Sequence, residues 1–438
     1  MKNLTIIANP ENRRVGLLQK AIANLNLPPA TVISYADLIT GKQNLEQFNS
    51  PNNIIRFDSP EKNFEVDKAI IAAGEEEREG EEGEEGVEGG EINNYQRISS
   101  KDVAKLEFDK GRILYPRQWY LGWRSLLRRW EKQLNLIPDS SSWLIGGEKN
   151  LTPNPSPCLR RGGLDNPTSN SSPWLRRGGL RFMNHPRDIA VMFDKPRCHE
   201  RFSKNNVPVA RSLGKIHNYE HLREQMQAQG LARVFIKLSH GSSASGVIAY
   251  RANSRFESAI TTVERVREDG ETLLYNSRKI RNYTKREEVA DIINILTAEG
   301  VQVEEWLPKA RLQGCGFDLR VVVIDGEARH TVVRVGKSPM TNLHLGNERG
   351  DINEFLDKVG EENWEKMKRT CEEAAGLFPD SLYCGVDLLV LPNWEQHAVL
   401  EINAFGDLLP GILWNGIDTY MSEVKAILGR EGVEGVEW

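Results

Sequence analysis

The chain has 438 residues, of which 39% are hydrophobic and 27% charged, with a net charge of −5. That length supports two or three domains with ordinary cores, and the near-balanced charge gives no electrostatic case for a nucleic-acid or membrane partner. No stretch approaches the roughly 18 apolar residues of a membrane-crossing helix, and the opening MKNLTIIANPENRR is too short in apolar residues for a secretory signal.

Residues 1–145 are expected to form a small α/β, Rossmann-like domain. LTIIA and ATVIS read as strands, and residues 13–25 carry apolar periodicity between them. Within this domain, residues 75–91 hold ten Glu and one Arg among glycines. Such a run cannot bury apolar surface and is expected to be a solvated, disordered loop. The aromatic-rich stretch 115–134 reads as an amphipathic helix whose Trp and Tyr residues pack a core or a domain interface. Residues 149–180 repeat a short unit, SPCLRRGGL then SPWLRRGGL, and read as a low-complexity insertion, because two copies of nine residues make no stackable repeat. Leaving out the acidic and basic stretches, the rest of the chain is neutral. The scattered cysteines, Cys158, Cys198, Cys315, Cys371 and Cys384, form no C-x-x-C pair. That argues against zinc and disulfides and for a reducing cytoplasm.

From residue 181 the pattern becomes α+β with antiparallel hairpins. RVFIKL and GVIAY flank a Gly/Ser loop, residues 286–298 read as helix, and VQVEEWL reads as strand. DLRVVVI and ARHTVVRV make a hairpin around Asp325-Gly326. A two-residue turn there puts Arg320 and Arg334 on opposite faces. A three-residue loop, Asp325-Gly326-Glu327, pairs Asp318 with Arg334 and puts both arginines on one face, and this second register is the one expected.

The segment 386-VDLLVLPNWEQHAVLEIN-403 is the most informative. With its turn centred on Trp394, Asp387 faces Glu401, and Asn403 shares their face two residues on. Two opposed carboxylates about 5 Å apart repel unless a proton or cation lies between them. A hard-oxygen set without His or Cys suits Mg²⁺, with Mn²⁺ the alternative, and a Mg²⁺ held by few protein ligands commonly also holds phosphates. Upstream, Lys237 ends a strand and is followed by HGSSASG, whose small residues let backbone N–H groups approach phosphate oxygens. This is not a Walker A loop, where the lysine follows the glycines and opens a helix.

With these features in this order, residues 181–428 resemble the ATP-grasp superfamily, and most nearly its glutathione-synthetase-like and ribosomal-protein glutamate ligase branch. The resemblance implies two α+β subdomains gripping ATP, expected here at 181–260 with the glycine-rich lid and 261–430 with the metal site, followed by a tail at 431–438. It implies Lys195 and Lys237 on the phosphates, with Gly241, Ser242, Ser243, Ser245 and Gly246 as the lid. It makes Glu304, Glu305, Trp306 and Leu307 the adenine-holding hinge, and Arg320 and Arg334 the arginines at the transferred phosphate. Asn342, His344 and Gly346 fall at the acceptor site, and Asp387, Glu401 and Asn403 are the Mg²⁺ ligands. The implied activity is an ADP-forming ligase that makes an acylphosphate from a carboxylate and passes it to an amine or thiol. A small-molecule kinase and a non-catalytic nucleotide-binding module are the alternatives. One departure is plain: where the family keeps an acid for the ribose hydroxyls, this chain has Lys309. His240 and His344 are candidates for phosphate or acceptor contacts, with structural roles equally open. The acceptor stays open among a peptide, an amino acid and a metabolite, as does monomer or homodimer.

Overall fold

The computed structural model describes residues 3–77, 95–134, 181–242, 244–406 and 409–431. The expectations for the insertion 149–180, for the tail 432–438, for most of the acidic loop and for Ser243 lie outside the described residues. Among those described, no helix is long and apolar enough to cross a membrane.

The chain opens with β1 (Asn3–Ala8), α1 (Arg13–Asn24), β2 (Thr31–Ser34), α2 (Tyr35–Ile39), β3 (Asn53–Phe57) and α3 (Phe64–Ala73). The three strands form a parallel sheet in the order β2-β1-β3, the α/β pattern expected from sequence. Asn12 and Asn63 cap α1 and α3 by accepting from backbone N–H groups of the first turn. After α4 (Ser100–Val103) comes α5 (Pro116–Gln133), with proline at its first position. Helix α5 meets α3 through glycine: a Cβ on Gly122 would lie 1.8 Å from the Ile70 carbonyl oxygen, so no other residue allows this approach. Trp123 and Trp130 are fully buried here, as core packing requires.

Returning at residue 181, the chain joins the two halves of the molecule. Met183 N–H donates to the Ile55 carbonyl in β3 (2.9 Å), and the Met183 carbonyl accepts from Leu382 N–H (2.6 Å). Helices α6 (Pro186–Met192), α7 (Lys195–Lys204) and α8 (Tyr219–Ala228) follow, then β4 (Arg233–Leu238), β5 (Ile248–Ala252), β6 (Glu257–Glu268), β7 (Glu271–Tyr283), α9 (Arg286–Ala298) and β8 (Val301–Glu305). These five strands form one antiparallel sheet, β7-β6-β5-β4-β8, with its own core against α8 and α9. The subdomain boundary expected at 260/261 is therefore corrected. It would cut β6 between Ile260 and Thr261, whereas the sheet holds the chain together through Glu305.

The remaining elements are β9 (Arg311–Leu312), β10 (Cys315–Ile324), β11 (Glu327–Gly336), β12 (Glu348–Arg349), α10 (Ile352–Val359), α11 (Glu361–Gly376), β13 (Tyr383–Val390), β14 (His397–Asn403) and α12 (Thr419–Arg430). Their sheet runs β12-β11-β10-β13-β14, with β9 on β10. Its apolar face merges with the N-terminal sheet into one continuous core. The molecule thus has two bodies with separate cores, and the site lies where the two large sheets face each other.

Candidate active site

Strands β10, β13 and β14 set Arg320, Asp387 and Glu401 side by side in one cross-strand row, with Asn403 opposite Gly385 in the next row on the same face. The register at the acids is the expected one, but its cause differs. The turn pairs Val390 with His397, and a bulge between Asp387 and Leu388 shifts the ladder so that Asp387 still faces Glu401. The same correction occurs in the β10–β11 hairpin. Its turn has the two residues Asp325 and Gly326 (φ 56° and 79°), and a bulge after Val322 brings Asp318 opposite Arg334. Both arginines therefore share a face, as expected, through a bulge and not a three-residue loop.

The charges form an alternating chain. Arg320 grips Asp387 through Nε on one oxygen and Nη2 on the other (3.1 Å). Arg334 Nη2 lies 3.1 Å from the same carboxylate, while its Nε donates to Asp318 (2.7 Å). Lys309 Nζ donates to Asp318 (3.0 Å) and to Thr341 Oγ1 (2.7 Å). On the facing sheet, Lys237 Nζ donates to Glu304 (2.9 Å) and to the Leu400 carbonyl (3.3 Å). Lys195 donates to the Gly241 carbonyl in the lid and stands 3.8 Å from Glu401. Five cations face four carboxylates in this water-poor space.

Burial and these partners pull the titrations in opposite directions. Burial alone pulls the Lys237 ammonium down, but Glu304, with Glu401 and Asp387 adding to it, outweighs burial and the pKa rises. Burial pushes Glu401 up, yet Lys195, Lys237, Arg320 and Arg334 together hold it below the usual carboxylate range. Asp318 is held low in the same way by Arg334 and Lys309. The Lys309 ammonium is lowered by burial, against the pull of Asp318. Glu401 and Asp318 thus stay ionised among their cations.

Two connected cavities flank the row. A narrow cleft of about 90 Å³ between the sheets is lined by Ala210, Phe235, Val247, Leu307 and Leu389 and by the charged chain. A cavity of about 300 Å³ lies on the side of the N-terminal domain, where Arg14, Ser59 and Arg349 join Asn342 and His344. Lys195, Gly241, Arg334 and Glu401 line both.

Residues 188–386 match the family model described as YheC/D-like ATP-grasp. That segment is similar to the ATP-grasp family. Its fold is similar to that of D-cycloserine synthetase DcsG, with 12% identity, 98% of this chain and 99% of that one covered, and a TM-score of 0.50. ATP-grasp ligase PsnB complexed with minimal precursor shares 14% identity over 98% and 99% of the two chains, at a TM-score of 0.48. Macrocyclase MdnC bound with precursor peptide MdnA, from Microcystis aeruginosa MRC, shares 11% over 98% and 99%, at 0.46. No curated protein matches the sequence.

In the glycine-rich loop expected as a lid, Gly246 has φ 65° and a Cβ there would strike Leu238 at 2.5 Å. The Ala244 carbonyl accepts from Thr262, and Ser245 N–H donates to the Ser242 carbonyl. Gly241, Ser242 and Ser245 line the cavities. Of the expected hinge residues, Glu304, Glu305 and Leu307 line the cleft. Glu304 accepts from Lys237, Glu305 lies 3.5 Å from Arg211, and Trp306 packs edge-on against Phe235. Asn342 and His344 line the larger cavity, and Gly346 (φ 80°) closes the turn that carries them. His240 is a packing residue: its ring stacks on Tyr120 at 3.8 Å, and Nδ1 lies 3.2 Å from the Phe193 carbonyl.

Sequence reasoning paired Asp318 with Arg334 but gave it no place in the site, and it passed over Thr341 and Arg14. The period-two rule had the signal for Asp318, which shares the face of Arg320 two residues away. Thr341 and Arg14 come from loops, where no pattern marks them.

Proposed function

We propose that this protein is an ATP- and Mg²⁺-dependent, ADP-forming ligase that activates a carboxylate for attack by an amine or thiol. The observation that carries the reading is the placement of Lys195, Arg334 and Glu401 on the wall common to both cavities. A nucleotide in the narrow cleft would present its terminal phosphate to whatever fills the larger one.

The apolar walls of the cleft, Phe235, Val247, Leu307 and Leu389, suit a purine, and the cations beyond them suit phosphates. The donor set Asp387, Glu401 and Asn403 fits Mg²⁺ by its all-oxygen chemistry. Asp387 accepts two hydrogen bonds from Arg320 and has Arg334 Nη2 at 3.1 Å, while a carboxylate can accept roughly four, so it keeps capacity for a ligand. When bound there, Mg²⁺ would supply positive charge that neutralises the phosphates. The chain's own residues do the positioning that phosphoryl transfer needs. Lys237 and Lys195 hold phosphate oxygens under the lid. Arg320 and Arg334 orient Asp387 and stabilise charge on the transferred group. The substrate carboxylate oxygen attacks the terminal phosphorus as the bond to ADP breaks. The amine or thiol then attacks the acyl carbon and phosphate leaves.

The test is ADP and phosphate release from Mg-ATP with pooled carboxylates and amines, with Asp387→Asn as the blank. Release that needs both pools supports the ligase. A phosphorylated stable product without a nucleophile would replace it with a kinase. ATP binding with no turnover on any pool would leave a nucleotide-binding module.

A further inference from the structure

The lysine at the hinge exit invites a question the charged row does not answer: what holds the ribose. Resting on the nucleotide reading above, the geometry points to Lys309 as the ribose-contacting residue, a cationic hydrogen-bond donor in the corner where an acceptor would serve equally well.

Leu307 is one of the apolar residues lining the cleft, and Arg334 and Asp387 are among the charged ones that the reading above gives to the phosphates. Lys309 stands two residues after Leu307 and reaches Asp318, the partner of Arg334, so it lies between base and phosphates. In a nucleoside triphosphate the group between those ends is the ribose. The side chain of Lys309 is only 13% exposed, and Nζ is fixed by Asp318 and Thr341. An ammonium has three N–H donors; two are used, and the third is available to the cleft that Lys309 lines. Glu305, the acid nearest the hinge exit, faces Arg211 at 3.5 Å. Asp318 already accepts from Arg334, Lys309 and Thr341, three of the roughly four bonds a carboxylate can take. The hydroxyl oxygens of the ribose would thus act as acceptors from Lys309.

The test is a cycle of two nucleotides and two proteins, read as Kd by calorimetry with Mg²⁺ present. In the wild type, removing the contacted hydroxyl (2′-deoxyATP or 3′-deoxyATP) is expected to weaken binding about tenfold or more, as for a hydrogen bond to a charged group. In Lys309→Met, ATP binding falls by a similar factor and the penalty for the deoxy analogue shrinks to under about twofold. The same deoxy penalty in both proteins would overturn the assignment and leave Lys309 as a support for Asp318. If Lys309→Met does not fold, Lys309→Gln, which keeps a donor for Asp318, is read by the same rule. Failure of the wild type to bind ATP at all would instead sink the nucleotide reading, and this inference with it.

Discussion

Arg320 and Asp387 stand directly opposite each other on β10 and β13, and the guanidinium closes on the carboxylate with two hydrogen bonds. Arg334 holds the same carboxylate from the next strand. Asp387 is therefore both the keystone of a buried ion network and the proposed metal ligand. Asp387→Ala should abolish ADP release, by at least about 100-fold in kcat. It should also cost about 3–5 kcal/mol of stability, because Arg320 loses its carboxylate and Arg334 loses one of its two. Glu401→Gln should match the activity loss at a smaller stability cost, since Lys195 stands 3.8 Å away and has a second partner in the lid. Kinetics and thermal unfolding of both variants check this. Equal destabilisation by the two would contradict the network as described.

Gly385 makes room for that guanidinium. A Cβ there would sit 3.2 Å from Arg320 Cδ, 3.3 Å from Nη1 and 3.3 Å from the Gly406 Cα. Gly385→Ala is expected to cost about 1–3 kcal/mol by overpacking and to lower kcat more than it raises KM for ATP, because the displaced group is Arg320. A variant with wild-type kcat would show that the guanidinium has room to spare.

The lid is anchored to the N-terminal domain by the stack of His240 on Tyr120. His240→Ala should cost on the order of 1 kcal/mol of stability and raise KM for ATP several-fold by loosening the lid base, with kcat less affected. Steady-state kinetics read the split, and an unchanged KM speaks against a lid role for this contact.

Stability should respond to pH through Asp188 in α6. Burial, with Asp380 adding to it, lifts its pKa to about 7. Between the ordinary carboxylate value near 4 and that figure, the folded chain binds the proton and the unfolded chain releases it. The Asp188 contribution therefore falls as pH rises through about 4 to 7, by roughly 1.4 kcal/mol for each pH unit at most. Asp188→Asn keeps an acceptor for Ser381, which donates to the carboxylate at 3.0 Å. The variant should be more stable than the wild type at pH 8 and gain little at pH 4. Melting temperatures of both proteins at these pH values decide it, and a gain that is the same at both would exclude the titration.

How the sequence carried this site is best seen in its two hairpins. Asp387 against Glu401 and Arg320 beside Arg334 were legible, because polar residues on buried strands must share a face to share partners. The turns themselves were not legible, because the bulges that restore each register leave no residue signature: a bulge is fixed by the sheet on the far side of the strand. The β6–β7 hairpin went unread although Asp269-Gly270 (φ 48° and 86°) is the same turn signal as Asp325-Gly326. Its strands mix charged and apolar residues without strict alternation, and residues 277–280 drop out of the ladder between Thr261 and Val263. Missing that hairpin is what misplaced the subdomain boundary. The ion pair of Glu304 with Lys237 was not legible, because nothing in a strand sequence tells which buried cation an acid will choose.

The central claim is that the row Asp387, Glu401 and Asn403 seats Mg-ATP in the cleft between the sheets. Calorimetric titration of the full chain with ATP, with Mg²⁺ and with chelator, tests it most directly, with Glu401→Gln alongside. The account predicts saturable binding that weakens at least about tenfold without Mg²⁺, and a variant in which that metal dependence is lost. Binding of equal strength with and without Mg²⁺, or a Glu401→Gln variant with unchanged metal dependence, would contradict it.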